Sequence, residues 1–146
     1  MKIVLQRVKQ ADVKVRGDIV GEIEKGICLL VGIEKGDLEE DVRYLAKKTV
    51  ELRIFPDEKG KMNLSLLDIE GEILAISQFT LAGSISKGRR PSFDKAEHPE
   101  RAKVIFDYYV KLLRERGIKV ETGVFKELMD VHIENDGPVT FILTSK

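Results

Sequence analysis

The apolar run Ile73-Leu74-Ala75-Ile76 narrows the possible folds of this chain more than any other feature. It is too short for most helices and β-branched enough for a buried strand, which we place over Glu72 to Thr80. After it the pattern collapses into Gly83, Ser84, Ser86, Gly88, Arg89, Arg90 and Pro91, a loop by composition. Ser77, Gln78 and Thr80, within SQFTLAG, therefore sit where a rigid strand hands over to a loop, a common place for chemistry. The same spacing also fits a plain strand end whose hydroxyls cap backbone groups.

The rest of the chain reads as strands with two helices. Residues 2 to 8 alternate, with Ile3 and Leu5 on one face and Val4 and Val8 on the other. Val13 and Val15 alternate with Lys14 and Arg16, and Gly17-Asp18 then marks a hairpin turn into Ile19 to Ile23. Lys25-Gly26 predicts another turn, and Ile27 to Ile33 a strand buried on both faces. Asp37 with Glu40 resembles a capping box, opening a helix whose stripe is Leu38, Val42, Leu45, Ala46 and Val50. Leu52 to Phe55 predicts a short strand and Pro56 to Gly60 a turn, while Asn63 to Gly71 fits no single element. His98-Pro99 opens a second helix with the stripe Ala102, Ile105, Phe106, Tyr109, Leu112 and Leu113, ended by Gly117. Val120 to Val124, Val131 to Glu134 and Val139 to Thr144 read as strands, with Asn135-Asp136-Gly137-Pro138 a turn between the last two. The expectation is one strand-rich α/β domain over residues 1–146, with both helices on one side of the sheets.

Charge and cysteine content bound the function. Lys plus Arg and Asp plus Glu are both 25, giving a formal net charge of zero. A protein held to nucleic acid by bulk attraction would be basic, so any such binding must be local and shaped. Cys28, the only cysteine, lies within an apolar run and reads as a small core residue. No disulfide is possible within the chain, as suits a reducing compartment. MKIVLQRVKQ is charged at Lys2 and then alternates, unlike a signal peptide, and no apolar stretch approaches membrane-spanning length. The expected setting is the cytoplasm, away from membranes.

Candidate chemistry is sparse. His98, His132 and Cys28 give no ligand pair at metal spacing, and His98 reads better as a helix cap. No P-loop, dinucleotide-binding glycine pattern or GxSxG elbow is present, so neither a metal nor a cofactor is expected. Glu39, Glu40, Asp41, Asp57, Glu58, Glu97 and Glu100 read as solvated surface. A hydrolase with such a set would have to stabilise an oxyanion with backbone N–H groups, as a strand-to-loop junction can. Thr80 has two readings: a nucleophile, which needs an adjacent base, or a positioning group beside the N–H groups of Phe79 and Thr80. On spacing alone, an esterase or amidase using Thr80 or Ser77, or a module that binds an RNA end without chemistry, also remains.

SQFTL, RPSF at Arg90 to Phe93 and NDGPVTF at Asn135 to Phe141 together resemble the D-aminoacyl-tRNA deacylase family, from the first strand to the last. The resemblance implies a three-layer β/β/α fold and a chiral proofreading hydrolase. Such an enzyme cleaves a D-amino acid, or glycine, from the 3′ end of tRNA and spares the L-ester. It implies catalysis around Ser77, Gln78, Phe79 and Thr80, assisted by the substrate's own ribose 2′-hydroxyl. It also implies a homodimer, in which a Gly137-Pro138 pair joined by a cis bond reaches the other subunit's site. There its parallel carbonyls would reject an L-side chain. Arg7 resembles the arginine that fixes this loop, and Ala102, Phe125 and Met129 resemble residues lining the site for adenosine and aminoacyl group. Lys87, Arg89 and Arg90 are candidates to meet tRNA phosphates.

Overall fold

Two long strands, β1 (Lys2–Val15) and β8 (Asp130–Thr144), run side by side through the computed structural model, which describes residues 1–145. Lys146, the last residue of the expected domain, lies outside the described residues. The other strands are β2 (Asp18–Ile23), β3 (Gly26–Gly32), β4 (Phe55–Pro56), β5 (Met62–Leu64), β6 (Glu72–Ser77) and β7 (Val120–Thr122). The main sheet has the order β2-β1-β3-β6-β7, with β8 on the free edge of β1 and a separate β4-β5 pair. β3, β6 and β7 run parallel to one another.

β1 changes partners along its length. Its first half, Lys2 to Val8, pairs with β3, and its second half, Ala11 to Val15, pairs with β2. The second half, with β2 and the start of β8, folds over the other face of β3 and β6. Two cores follow from strict alternation on the buried strands. Ile3, Leu5, Ile27, Leu29, Ile73 and Ala75 face helices α1 (Glu39–Glu51) and α2 (Pro99–Arg114). Val8, Val13, Ile23, Cys28, Leu74 and Ile76 fill the space between the two sheet layers. The result is β/β/α, with both helices on one side. Burial pushes the Cys28 thiol up to about 12, which leaves it a neutral core group.

Several boundaries differ from the sequence reading. The first hairpin turns on Arg16-Gly17, whose φ values are 51° and 83°, and Asp18 already pairs with Val15. A two-residue turn of this hand needs positive φ at both positions, so the turn sits one residue earlier than Gly17-Asp18. Asp37 does not cap α1: its carboxylate accepts the Glu34 N–H at 2.7 Å and pairs with the Met1 amino group. The Leu38 N–H instead bonds Asp41 at 2.8 Å, so the box begins one residue later. His98 occupies the N-cap position of α2 without a side-chain cap bond, and Pro99 follows at the first turn. The expected strand Leu52 to Phe55 reduces to Phe55–Pro56 in β4, and part of the unassigned segment 63–71 completes β5. β6 ends at Ser77, not Thr80, because the chain winds into a short 3-10 turn, Phe79–Ala82.

The largest difference is Asn135-Asp136-Gly137-Pro138, which is no reverse turn. Val131 to Asn135 and Thr140 to Thr144 both pair antiparallel with the same strand, β1. Between the pairs Gln6↔Thr140 and Val8↔Asn135, residues 136–139 stand opposite Arg7 alone. They bulge from one continuous strand, where proline's missing N–H breaks no ladder bond. The Gly137-Pro138 bond is cis, and Gly137 has φ 140°.

The helices are joined through a buried polar contact. The Thr49 hydroxyl donates to the Leu45 carbonyl at 2.8 Å, so the Tyr109 hydroxyl, 2.7 Å away, donates to Thr49. Tyr109 is fully buried, and burial pushes its phenol well above the usual range. Thr49→Val strands a buried phenol without an acceptor and is expected to lower stability by about 2 kcal/mol, whereas Tyr109→Phe costs about 1 kcal/mol. Urea unfolding followed by circular dichroism checks that order, and equal losses would overturn the assigned direction.

Candidate active site

The strand-to-turn junction after β6 shapes the site. The Gln78 N–H still bonds the Val31 carbonyl at 2.8 Å, continuing the pairing with β3. The chain then winds up, and the Leu81 N–H bonds back to the Gln78 carbonyl at 3.2 Å. The N–H groups of Phe79 and Thr80, ahead of that first closure, are the two donors the turn itself leaves unused. The Gln78 side-chain amide donates to the Thr80 hydroxyl at 2.5 Å. No histidine, lysine or carboxylate is hydrogen-bonded to Thr80 among the described residues. Phe79 is 58% exposed and rests edge-on against Phe93, their ring centres 5.1 Å apart.

A groove of about 750 Å³ opens beside this junction. Ser77, Gln78 and Phe79 form one wall, and Ala102, Phe125 and Met129 another. Ala102 comes from the first turns of α2, where only a small side chain leaves the space open. Phe125 lies between β7 and β8 and is steadied by Phe106, 6.4 Å away centre to centre. Thus residues far apart in sequence meet around one largely apolar hollow with a few polar groups on its edge, next to a turn that has two spare backbone donors, the usual composition of a small-ligand site. Thr80 sits just past the wall, exposed, and connects to it through Gln78.

Gly137, Pro138 and Arg7 are not among the residues of this groove. Arg7, largely buried, donates through Nε to the Asp136 carbonyl at 3.0 Å and through a terminal nitrogen to the Ile54 carbonyl at 2.7 Å. Asn135 closes the bulge from its other end by accepting the Val139 N–H at 2.7 Å. Gly137 and Pro138 are thereby held outward, exposed, on a fixed loop.

Glu97 was missed by the sequence reading, which placed it on the solvated surface. It lines the groove with a side chain only 7% exposed. The His98 N–H, with Arg101 behind it, holds its carboxyl below the ordinary value, so it is an anion at neutral pH and no proton donor. Only its burial reveals it, since a glutamate before His-Pro carries no local signal. His98 also borders the groove, while His132 lies on β8 and pairs with Asp12 at 3.1 Å. Among the described residues, no three His, Cys, Asp or Glu side chains are placed to hold a metal ion.

Comparison with known proteins adds the family. A model described as D-Tyr-tRNA(Tyr) deacylase matches residues 4–144. A Persephonella marina protein named D-aminoacyl-tRNA deacylase is 61% identical over 146 residues, spanning 100% of this chain and 99% of its own. A Geobacter sulfurreducens protein of the same name is 57% identical over 146 residues, spanning 100% and 96%. Among solved structures, the c-Myc DNA Unwinding Element Binding Protein superposes with a TM-score of 0.94 at 39% identity, over 100% of this chain and 99% of that one. A probable eukaryotic D-amino acid tRNA deacylase superposes with a TM-score of 0.84 over 97% of each chain, but at 18% identity that likeness is one of fold alone. With a match that runs from β1 to β8 and relatives above half identity over their whole length, the chain belongs to the D-Tyr-tRNA(Tyr) deacylase family.

Proposed function

We propose that this chain hydrolyses the ester between a D-amino acid, or glycine, and the 3′ end of tRNA, releasing both and sparing the L-aminoacyl ester. The observation that carries the reading is the junction at Ser77 to Thr80. There, in a member of this family, two backbone donors open beside an apolar groove. Water attacks the ester carbonyl, the N–H groups of Phe79 and Thr80 hold the oxyanion, and the terminal ribose oxygen leaves with a proton. The substrate's adjacent 2′-hydroxyl handles that proton, since nothing basic is bonded to Thr80. Ala102, Phe125 and Met129 receive the terminal adenosine and the aminoacyl group. Cys28, a buried neutral thiol, suits a reducing cytoplasm.

The enzyme works as a homodimer. Gly137-Pro138 is held outward, away from its own groove, and the exposed Phe141 (39%) and Ile142 (69%) follow it along β8. In the dimer this loop enters the partner's groove. Main-chain carbonyls cannot rotate aside as a side chain can, so an L-side chain directed at them clashes while a D-side chain points away.

Three measurements test this. With a chelator present, D-tyrosyl-tRNA should lose its label rapidly while L-tyrosyl-tRNA is spared. Equal loss of both would make this a general esterase, and loss of neither a binding protein. Thr80→Ala should lower kcat about tenfold, the worth of one hydrogen bond, whereas a covalent nucleophile would leave only background hydrolysis. Finally, Gly137→Val strains the loop, where a Cβ would already sit 2.6 Å from the Val139 side chain, and Ala102→Phe blocks the groove. Co-refolding these two inactive chains should restore about a quarter of wild-type activity, since half the dimers then hold one intact site. No recovery would sink the cross-subunit arrangement.

A further inference from the structure

The segment Ser84 to Ser92, SISKGRRPS, is closed at its base by two backbone bonds between Ser84 and Ser92, 2.7 and 2.9 Å long. It carries Lys87, Arg89 and Arg90 and no acid, in a chain whose net charge is zero. All three cations are exposed and form no ion pair among the described residues. Beneath the loop lies a second hollow of about 300 Å³, lined chiefly by Ser84, Ser86, Ser92, Lys87, Lys95 and Asp94. The Ser84 and Ser86 hydroxyls lie 3.0 Å apart and share one hydrogen bond, so one of their two protons stays free, and with the two ammonium groups it suits a tetrahedral oxyanion. The one acid there, Asp94, is engaged by the Ser92 hydroxyl at 2.6 Å.

This hollow adjoins the groove. Asp94 lines both, and Lys35, on the groove's rim, donates its N–H to the Lys95 carbonyl at 2.9 Å. The root of the loop is packed onto the 3-10 turn. The Phe93 ring lies against Phe79, and the Gly83 backbone is so near that a Cβ would sit 2.9 Å from that ring. Three unpaired cations are therefore carried on a loop rooted at the turn beside which an ester would sit.

We infer that the loop 84–92 and the hollow beneath it form a subsite for RNA backbone phosphates, binding the strand that leads away from the aminoacylated 3′ nucleotide. This deepens the deacylase reading and rests on it. Lys87 and Lys95 with the free hydroxyl proton of the Ser84–Ser86 pair meet one phosphate, and Arg89 and Arg90 meet those beyond it. Such contacts position the strand without reading its sequence, and a neutral protein can make them because the charge is concentrated at one loop.

The test compares two substrates that share the ester and differ in phosphates: D-tyrosyl-tRNA, and the D-tyrosyl ester of adenosine, which has none. The variant Lys87→Ala/Arg89→Ala/Arg90→Ala alters only exposed side chains. On D-tyrosyl-tRNA its kcat/KM should fall at least tenfold at low salt. The slope of log kcat/KM against log salt should shrink by about two, at roughly 0.7 to 0.9 for each phosphate that is no longer neutralised. On the adenosine ester its kcat/KM should equal that of the wild type. An unchanged value and salt slope on tRNA would overturn the inference, and so would equal reductions on both substrates, which would mean a structural loop. If the wild type cleaves neither ester, it is the deacylase reading that fails, and this subsite falls with it.

Discussion

The structure depends on one pairing, that of β1 with β8. These strands belong to both sheet layers, since β1 pairs first with β3 and then with β2, while β8 follows it along its other edge. Such a strand must bury opposite faces in its two halves, and the side chains show the exchange. Ile3 and Leu5 enter the helix-facing core, whereas Val8, Ala11 and Val13 enter the core between sheets. The exchange is made where the ladder slips, at Gln6 to Gln10, opposite the bulge of β8. The bend that creates two layers and the loop that presents Gly137 and Pro138 are thus a single irregularity. Arg7 sits in it, bonded to carbonyls on both sides, and so couples the outward loop to the chain after α1.

A similar economy operates at the other candidate segment, after β6. β6 is held on both edges by parallel partners and is buried through Ile76, so the position of Ser77 is set by the core rather than by the loop that follows. Gln78 keeps one ladder bond, and only then does the chain wind into a turn that leaves the Phe79 and Thr80 amides open. Donors fixed in this way need no rearrangement when charge develops, which is the condition for electrostatic stabilisation of an oxyanion. α2 completes the groove by placing Ala102 against it, and Arg101, one residue earlier, binds the Asp37 carbonyl and so fastens the start of α2 near the start of α1.

Much of this was legible in the residues. Continuous apolar runs at Ile27 to Ile33 and Ile73 to Ile76 mark strands covered on both faces, and the helical stripes at Val42 to Val50 and Ala102 to Leu113 mark the covering helices. What failed shares one cause. A bulge and a reverse turn have the same Asn, Asp, Gly and Pro composition. Only the fact that Val131 to Asn135 and Thr140 to Thr144 share the partner β1 separates them. Asp37 resembles a helix cap until the Met1 amino group, distant in sequence, takes it. Glu97 resembles a surface acid until Arg101 and the groove enclose it. In each case the deciding surroundings come from residues remote along the chain; for Glu97 they are the groove walls, since its ion-pair partner Arg101 is only four residues away. The meeting of Ser77 with Ala102, Phe125 and Met129 is remote in the same sense, and it was the likeness of three motifs to a family, not any spacing, that pointed to it.

The chemistry follows from what the groove holds. A hydroxyl nucleophile requires a base within hydrogen-bond reach, and Thr80 is bonded instead by an amide donor, which lowers rather than raises its nucleophilicity. Of the acids along the groove, the most enclosed, Glu97, is held ionised by the His98 N–H, so it does not protonate a leaving oxygen. On the proposed mechanism these two residues supply neither a base nor an acid, and the protein contributes fixed amide donors, a largely apolar enclosure and control of approach. That suffices only for a substrate already activated toward hydrolysis and able to manage its own proton. An aminoacyl ester flanked by a ribose hydroxyl meets both conditions, whereas a peptide amide meets neither.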